Sequence, residues 1–169
     1  IKMRIRSKSV TLVRLGMQMT LSYAFNKISW YGRGPHECYP DRKTSAVISR
    51  YTKAVKELEH QYMRPQENGT RCDVRELELV DDRKIKIRVK DLSGKGILFS
   101  AWNYTKDSLR RATHSHKLKY EKLTTLNMDG VMRGVGGDLP GVASLHKPYI
   151  LEAKKEHMAH FIINFETMK

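Results

Sequence analysis

Four carboxylates sit in stretches whose backbone is built for shape rather than for packing: Glu37, Asp41, Glu67 and Asp138. Glu37 and Asp41 belong to the run Trp30-Tyr31-Gly32-Arg33-Gly34-Pro35-His36-Glu37-Cys38-Tyr39-Pro40-Asp41-Arg42-Lys43. Gly32, Gly34, Pro35 and Pro40 force a tightly turning chain there. Trp30, Tyr31 and Tyr39 supply rigid faces, and Arg33 and Arg42 supply cations with which the two acids can pair. Glu67 lies in a polar run from Arg64 and Pro65 to Arg71, around the turn signal Asn68-Gly69. Asp138 follows Gly134-Val135-Gly136-Gly137 and precedes Leu139-Pro140-Gly141, where so much glycine lets a backbone approach something closely. From residue types alone, loops of this kind with paired charges read as rigid corners.

Other chemistries find less support. The glycines near Gly134 lack the G-x-G-x-x-G spacing of a dinucleotide site and the Lys and Ser/Thr of a phosphate loop. His114 and His116 would share one face of a strand, but no clear third metal ligand accompanies them. Surface or hydrogen-bonded histidines are the expectation, with no metal site in the chain. Cys38 and Cys72 cannot make a disulfide-rich scaffold, and two free thiols are expected. Asn68-Gly69-Thr70 and Asn103-Tyr104-Thr105 match the glycosylation pattern, which matters only on a secretory route.

The elements that must position these loops are mainly strands. Val13, Leu15, Met17, Met19 and Leu21 alternate with mostly polar neighbours, the pattern of a half-buried strand. Ile85, Ile87 and Val89 alternate with Lys84, Lys86, Arg88 and Lys90. Asp81-Asp82 and residues 91–94 read as turns, 97–104 as a strand, and 160–165 as a final strand buried on both sides. Thr105 is placed to cap a short helix over 106–113 with Leu109 and Ala112 facing inward. Val55, Leu58 and Tyr62 suggest a second short helix over 51–62. The 169 residues, 40% hydrophobic and 30% charged, suit one soluble domain with a core. No apolar run approaches the ~20 residues of a membrane span. The net charge of +14 first suggests nucleic acid. The alternation of Lys2, Arg4, Arg6 and Lys8 reads instead as one solvated strand face, and no nucleic-acid-binding motif accompanies the charge.

Taken together, the three loop segments resemble a family. Trp30 to Arg42 is similar to the W-x-G-x-G-P-x-E-N-Y-P-D-R signature of the small-chain, C-terminal domain (domain 5) of glycoside hydrolase family 2 β-galactosidases. Arg64 to Arg71 resembles its P-Q-E-N-G-x-R segment, and Asn127 to Asp138 its N-x-D-x-x-x-x-G-V-G-G-D segment. Residues 99–118 resemble the stretch between them. Order and spacing agree over nearly the whole chain.

The resemblance implies an all-β fold, an antiparallel β-supersandwich like that of galactose mutarotases, with at most one or two short helices. Residues 1–169 would be one such domain, without its first strands. It implies retaining hydrolysis of terminal β-galactosides by two carboxyl groups about 5–5.5 Å apart. In the family both come from a TIM-barrel domain, so this chain would hold no catalytic residue and would be inactive alone. It would pack on the barrel, or on a large subunit, in a homo-oligomer, and line the substrate pocket with Gly136, Gly137, Asp138, Leu139, Pro140 and Gly141. The corner residues would be Trp30, Gly32, Gly34, Pro35, Glu37, Tyr39, Pro40, Asp41 and Arg42, with Pro65, Glu67, Asn68, Gly69 and Arg71. Cofactors would lie elsewhere in the complete enzyme, whose relatives often use Mg and Na or K ions. The compartment stays open between bacterial cytoplasm and periplasm. Two departures stand out. Cys38 replaces the family's usual Asn, and Gly141 stands near the position where many members carry a pocket Trp. The rival reading is an independent carbohydrate-binding module, which needs exposed aromatic platforms. Trp30 and Trp102 are expected in the core.

Overall fold

Period-2 patterning sets two antiparallel sheets that share one core. The computed structural model describes residues 2–3, 11–137 and 144–167. Its strands are β1 (Lys2–Met3), β2 (Thr11–Leu12), β3 (Arg14–Ser22), β4 (Lys27–Gly34), β5 (Val47–Ala54), β6 (Arg71–Val74), β7 (Glu76–Val80), β8 (Ile85–Asp91), β9 (Ile97–Trp102), β10 (Leu123–Met132), β11 (Leu151–Glu152), β12 (His157–Met158) and β13 (Phe161–Thr167). One sheet has the order β3-β10-β9-β6 and the other β13-β8-β7-β4-β5, while β1 pairs with β12 and β2 with β11. Ile28, Trp30, Leu77, Leu79, Ile87 and Val89 of the five-stranded sheet meet Ile97, Phe99, Ala101, Leu126 and Met128 of the four-stranded sheet. Fully burying one such side chain stabilises by about 1.5–3 kcal/mol relative to leaving it exposed. The result is the all-β sandwich expected from the sequence.

The four-stranded sheet is covered on its outer face as well. Cys38, Tyr39, Ala46, Cys72, Leu98 and Met132 form a second cluster under the 35–46 corner. Trp102, Tyr104, Leu109, Ala112 and Leu118 form a third under the helix α1 (Lys106–Arg111). Hence β9 is buried at every position. The strand expected to be buried on both sides was the last one, and that expectation is corrected. β13 is an edge strand, with Ile162 43% and Phe165 63% exposed.

Other expectations fare individually. Thr105 caps α1, its hydroxyl accepting the Ser108 N–H at 3.2 Å, and Leu109 and Ala112 are buried. The helix suggested over 51–62 is absent. Tyr51 lies in β5, and only a 3-10 turn, Val55–Glu57, follows. Val55 and Leu58 are buried from that turn, so their spacing reflected a strand end and a corner rather than helical periodicity. His114 and His116 lie on no strand. A 3-10 turn spans Ser115–Lys117, and the two rings stack at 5.5 Å on the surface. Both tryptophans are core, at 2% and 1% exposure. Both cysteines are free and buried. Of the basic alternation at the start, Arg4, Arg6 and Lys8 lie outside the described residues.

Candidate functional site

The corner begins where β4 ends. Gly32 lies so close to β6 that a Cβ would stand 2.7 Å from the Val74 backbone. Past the cis Gly34–Pro35 peptide, the Cys38 N–H bonds Thr70 O at 2.7 Å, and Tyr39 and Arg42 exchange backbone bonds across a turn that holds Pro40. Glu37 ties this turn to two other segments. Its Oε1 accepts from Arg42 Nη2 and Tyr62 Oη, each at 2.5 Å, and its Oε2 accepts the Gly69 N–H at 2.8 Å. Burial alone would raise this carboxyl, but Tyr62, Gly69 and Arg42 outweigh it and hold it below the usual carboxylate range. On the other side Asp73 accepts from Arg33 Nε at 2.5 Å and Lys43 Nζ at 3.0 Å. Cys38 Sγ accepts the Cys72 N–H at 3.1 Å, so the thiol occupies the place of an accepting side chain.

Arg71 fixes the centre of the corner. It is 2% exposed, yet its guanidinium faces carbonyls instead of an acid. Nη1 donates to Leu58 O at 3.0 Å and Gly69 O at 2.6 Å, and Nη2 to Pro35 O at 2.9 Å. The group also lies 5.6 Å from the Trp30 ring centroid. Burial pulls its pKa down to about 10, which still leaves it charged at neutral pH. Gly69 has φ +74°, and a Cβ there would lie 2.7 Å from Leu58 O, so the turn requires glycine. Asn68 is 2% exposed, and its amide bonds Gln66 O, the Tyr104 hydroxyl and the His60 N–H. Asn103, 9% exposed, donates to Leu123 O. Neither sequon therefore presents a free amide to a glycosylating enzyme.

Asp41 joins the corner to the glycine loop. Its Oδ2 accepts the N–H of Val135 at 2.9 Å and of Gly136 at 2.8 Å. Gly134 is held against the same carboxylate, where a Cβ would lie 2.4 Å from Oδ2 and 2.9 Å from Tyr149 Cβ. Its N–H bonds Tyr149 O at 3.0 Å. Asp41, Arg42, Gly136, Gly137, His146 and Tyr149 then line an open depression of about 310 Å³. Gly136 and Gly137 are exposed at its rim. Asp138, Leu139, Pro140 and Gly141, also expected in the loop, lie outside the described residues.

Sequence reasoning missed one network. Arg14 donates from Nε to both Asp129 oxygens at 3.0 Å, from Nη2 to Asp129 Oδ2 at 2.5 Å, and from Nη1 to Glu67 Oε2 at 2.8 Å. Glu67 therefore pairs with Arg14 rather than with the partners of Glu37, in a charge cluster on the outer face of the four-stranded sheet. Burial raises its carboxyl pKa, with Arg14 opposing. Beside it Asn127 accepts from Gln18 Nε2 and donates to Ser100 Oγ. The one available signal was the polar alternation Thr125, Asn127, Asp129 along β10. Tyr62 was also missed as a partner of Glu37. Every corner acid is engaged by several donors, which suits holding loops in place. Among the described residues no group of three His, Cys, Asp or Glu is placed to hold a metal ion.

Comparison with known proteins decides what family builds such a corner. A family model described as the β-galactosidase small chain matches residues 1–163. The chain belongs to the β-galactosidase small-chain family. Curated β-galactosidases are similar to it along most of its length. That of Vibrio cholerae serotype O1 is 41% identical over 141 residues, covering 83% of this chain and 13% of that protein. That of Priestia megaterium is 35% identical over 149 residues, covering 88% and 14%. That of Lactococcus lactis is 32% identical over 144 residues, covering 85% and 14%. The chain thus spans about one seventh of the length of the curated relatives it matches.

Proposed function

We propose that the chain acts as part of a β-galactosidase, packing on a catalytic barrel or large subunit in a homo-oligomer and forming one wall of the galactoside pocket with its glycine loop. The observation that carries this reading is the clamp of Asp41 on Val135 and Gly136. It spends a carboxylate on the shape of an exposed backbone, which a passive surface turn does not require. The exposed glycines leave room for a sugar to approach main-chain groups, and Tyr149, 38% exposed, adds an aromatic face to the same depression. Retaining hydrolysis needs two carboxyl groups with a free approach to the glycosidic bond. Glu37 and Glu67 are engaged by structural donors, so the nucleophile and the acid/base belong to the rest of the enzyme.

The test is Gly137→Val in the full-length enzyme. A side chain at this rim raises KM or depresses kcat/KM for a chromogenic β-galactoside while the folded oligomer survives. The present chain, freed of full-length enzyme, turns over none of that substrate. Unchanged kinetics in a folded Gly137→Val variant, or turnover by the pure chain, would overturn the reading.

A further inference from the structure

A second cavity, of about 280 Å³, lies between the 59–68 segment and the Ser115–Lys117 turn, and it shares no lining residue with the Asp41 depression. Its apolar base is Leu109 and Leu118, 7% and 9% exposed. Its walls are aromatic. Tyr120 is 55% exposed, and His60 packs edge-on against Tyr62 with ring centroids 4.3 Å apart. Its main polar group is Glu59, whose two oxygens both take the Tyr120 hydroxyl at 3.0 Å. That single proton leaves carboxylate lone pairs available to further donors, in a half-buried setting whose desolvation raises the carboxyl pKa.

The lining selects a ligand class. Aromatic faces beside an apolar base favour a ring with a C–H face. A partly dehydrated carboxylate favours hydroxyl donors and opposes anions. A chain of net charge +14 opposes small cations. The volume lies just under the usual 300–1,000 Å³ range of small-molecule sites, room for one ring rather than several. We propose that this cavity is an accessory saccharide site that takes one ring of a neutral aldopyranoside. Glu59 accepts the hydroxyls, and Tyr120 and His60 face the ring. The proposal does not rest on the galactoside reading of the Asp41 loop. The two regions are nevertheless joined through the Tyr62–Glu37–Arg42 contacts.

Saturation-transfer NMR on the full-length protein tests it, with methyl β-D-galactopyranoside, methyl β-D-glucopyranoside, glucuronate and choline as probes. Tyr120→Ala and Glu59→Gln, both partly solvent-facing, are compared with wild type and with Gly137→Val. Each is first shown to be folded by its urea midpoint. The expected result is a loss of about fivefold or more in methyl β-D-glucopyranoside signal in Tyr120→Ala and Glu59→Gln, with hydrolysis unchanged. Gly137→Val should keep the Tyr120-dependent signal. Methyl β-D-glucopyranoside signal that neither Tyr120→Ala nor Glu59→Gln lowers, or a Tyr120-dependent signal from choline or glucuronate in its place, would overturn the proposal. Tyr120-dependent binding in a protein without hydrolytic activity would sink the galactosidase reading alone. Intact hydrolysis with Tyr120-independent glucopyranoside binding would sink this one alone.

Discussion

Arg14→Met is the sharpest test of how the outer face of the four-stranded sheet is held. The substitution removes a guanidinium and keeps most of the apolar stem. In the folded protein the Arg14 side chain is 15% exposed, Asp129 4% and Glu67 29%. Losing the cation strands two carboxylates, with Lys106 the remaining nearby positive charge on Glu67. Breaking a buried pair by removing one partner costs about 3–5 kcal/mol. Because Glu67 keeps some contact with water, the lower end applies, about 3 kcal/mol at pH 7. At a typical urea slope of about 1–3 kcal/mol per molar, the midpoint falls by roughly 1–3 M. Trp30 and Trp102, both buried, report the transition by fluorescence.

The pH dependence carries a sign. Glu67 has a raised folded pKa, so the folded state binds its proton more tightly than the unfolded chain. Its ionisation therefore costs nothing below the ordinary carboxyl range and costs progressively more as pH rises through the folded pKa. Removing Arg14 raises that pKa further. The gap between wild type and Arg14→Met should accordingly narrow as pH falls into the ordinary carboxyl range and widen as pH rises above it. The double variant Arg14→Met/Asp129→Asn should lose less than the sum of its parts, because the second change removes a charge that the first left unpaired. A loss under about 1 kcal/mol that is flat with pH would refute the account, since a pair that stays hydrated contributes that little.

Two further predictions concern the corner. Asp41→Ala should speed hydrogen exchange at the Val135 and Gly136 amides by at least about tenfold, as charge-assisted bonds of about 1.5–3 kcal/mol are lost. Asp41→Asn, which keeps one acceptor oxygen, should fall between, and equal rates in all three proteins would remove the clamp. Glu37 has a depressed folded pKa, so its stabilisation is present above the ordinary carboxyl range and is lost as pH falls through the folded value. Thermal unfolding between pH 3 and 6 should show a shallower acid decline in Glu37→Gln than in wild type, and parallel declines would contradict that assignment.

Local patterns were readable where local physics decides the outcome. Alternation located β3 and β8, a hydroxyl cap located α1, and Asn68-Gly69 located a turn whose φ demands glycine. Burial was misread where the answer depends on what lies across the sheet. Residues 160–165 are apolar because their inward side chains pack on the core, yet among the described residues no strand lies beyond it. β9 holds Ser100 between Phe99 and Ala101, a weaker apolar run, yet it is covered on both faces. The Arg14 network was invisible because its members are 53 and 115 residues apart in the chain. Spacing within a segment carries no trace of such a pairing. The resemblance in the loop segments supplied the family, but it did not say which acid holds which loop.

The position of Asp41, four residues after Glu37, explains why one short segment can govern several loops. The Tyr39–Arg42 bridge sets the turn between the two acids. Glu37 points to the 62 and 69 segment, Asp41 points to 135 and 136, and Arg42 closes back on Glu37. Beneath them Arg71 holds Pro35, Leu58 and Gly69 through carbonyls. A carbonyl-bound arginine keeps its geometry without a counter-ion, which leaves the nearby acids free to bind backbone N–H groups. Each loop is thereby fixed to the same rigid turn rather than to its sequence neighbours. Movement of the glycine loop must then break bonds at Asp41, while Glu37 can keep the rest of the corner in place. This separation lets an exposed backbone be shaped for a ligand without loosening the sandwich that carries it.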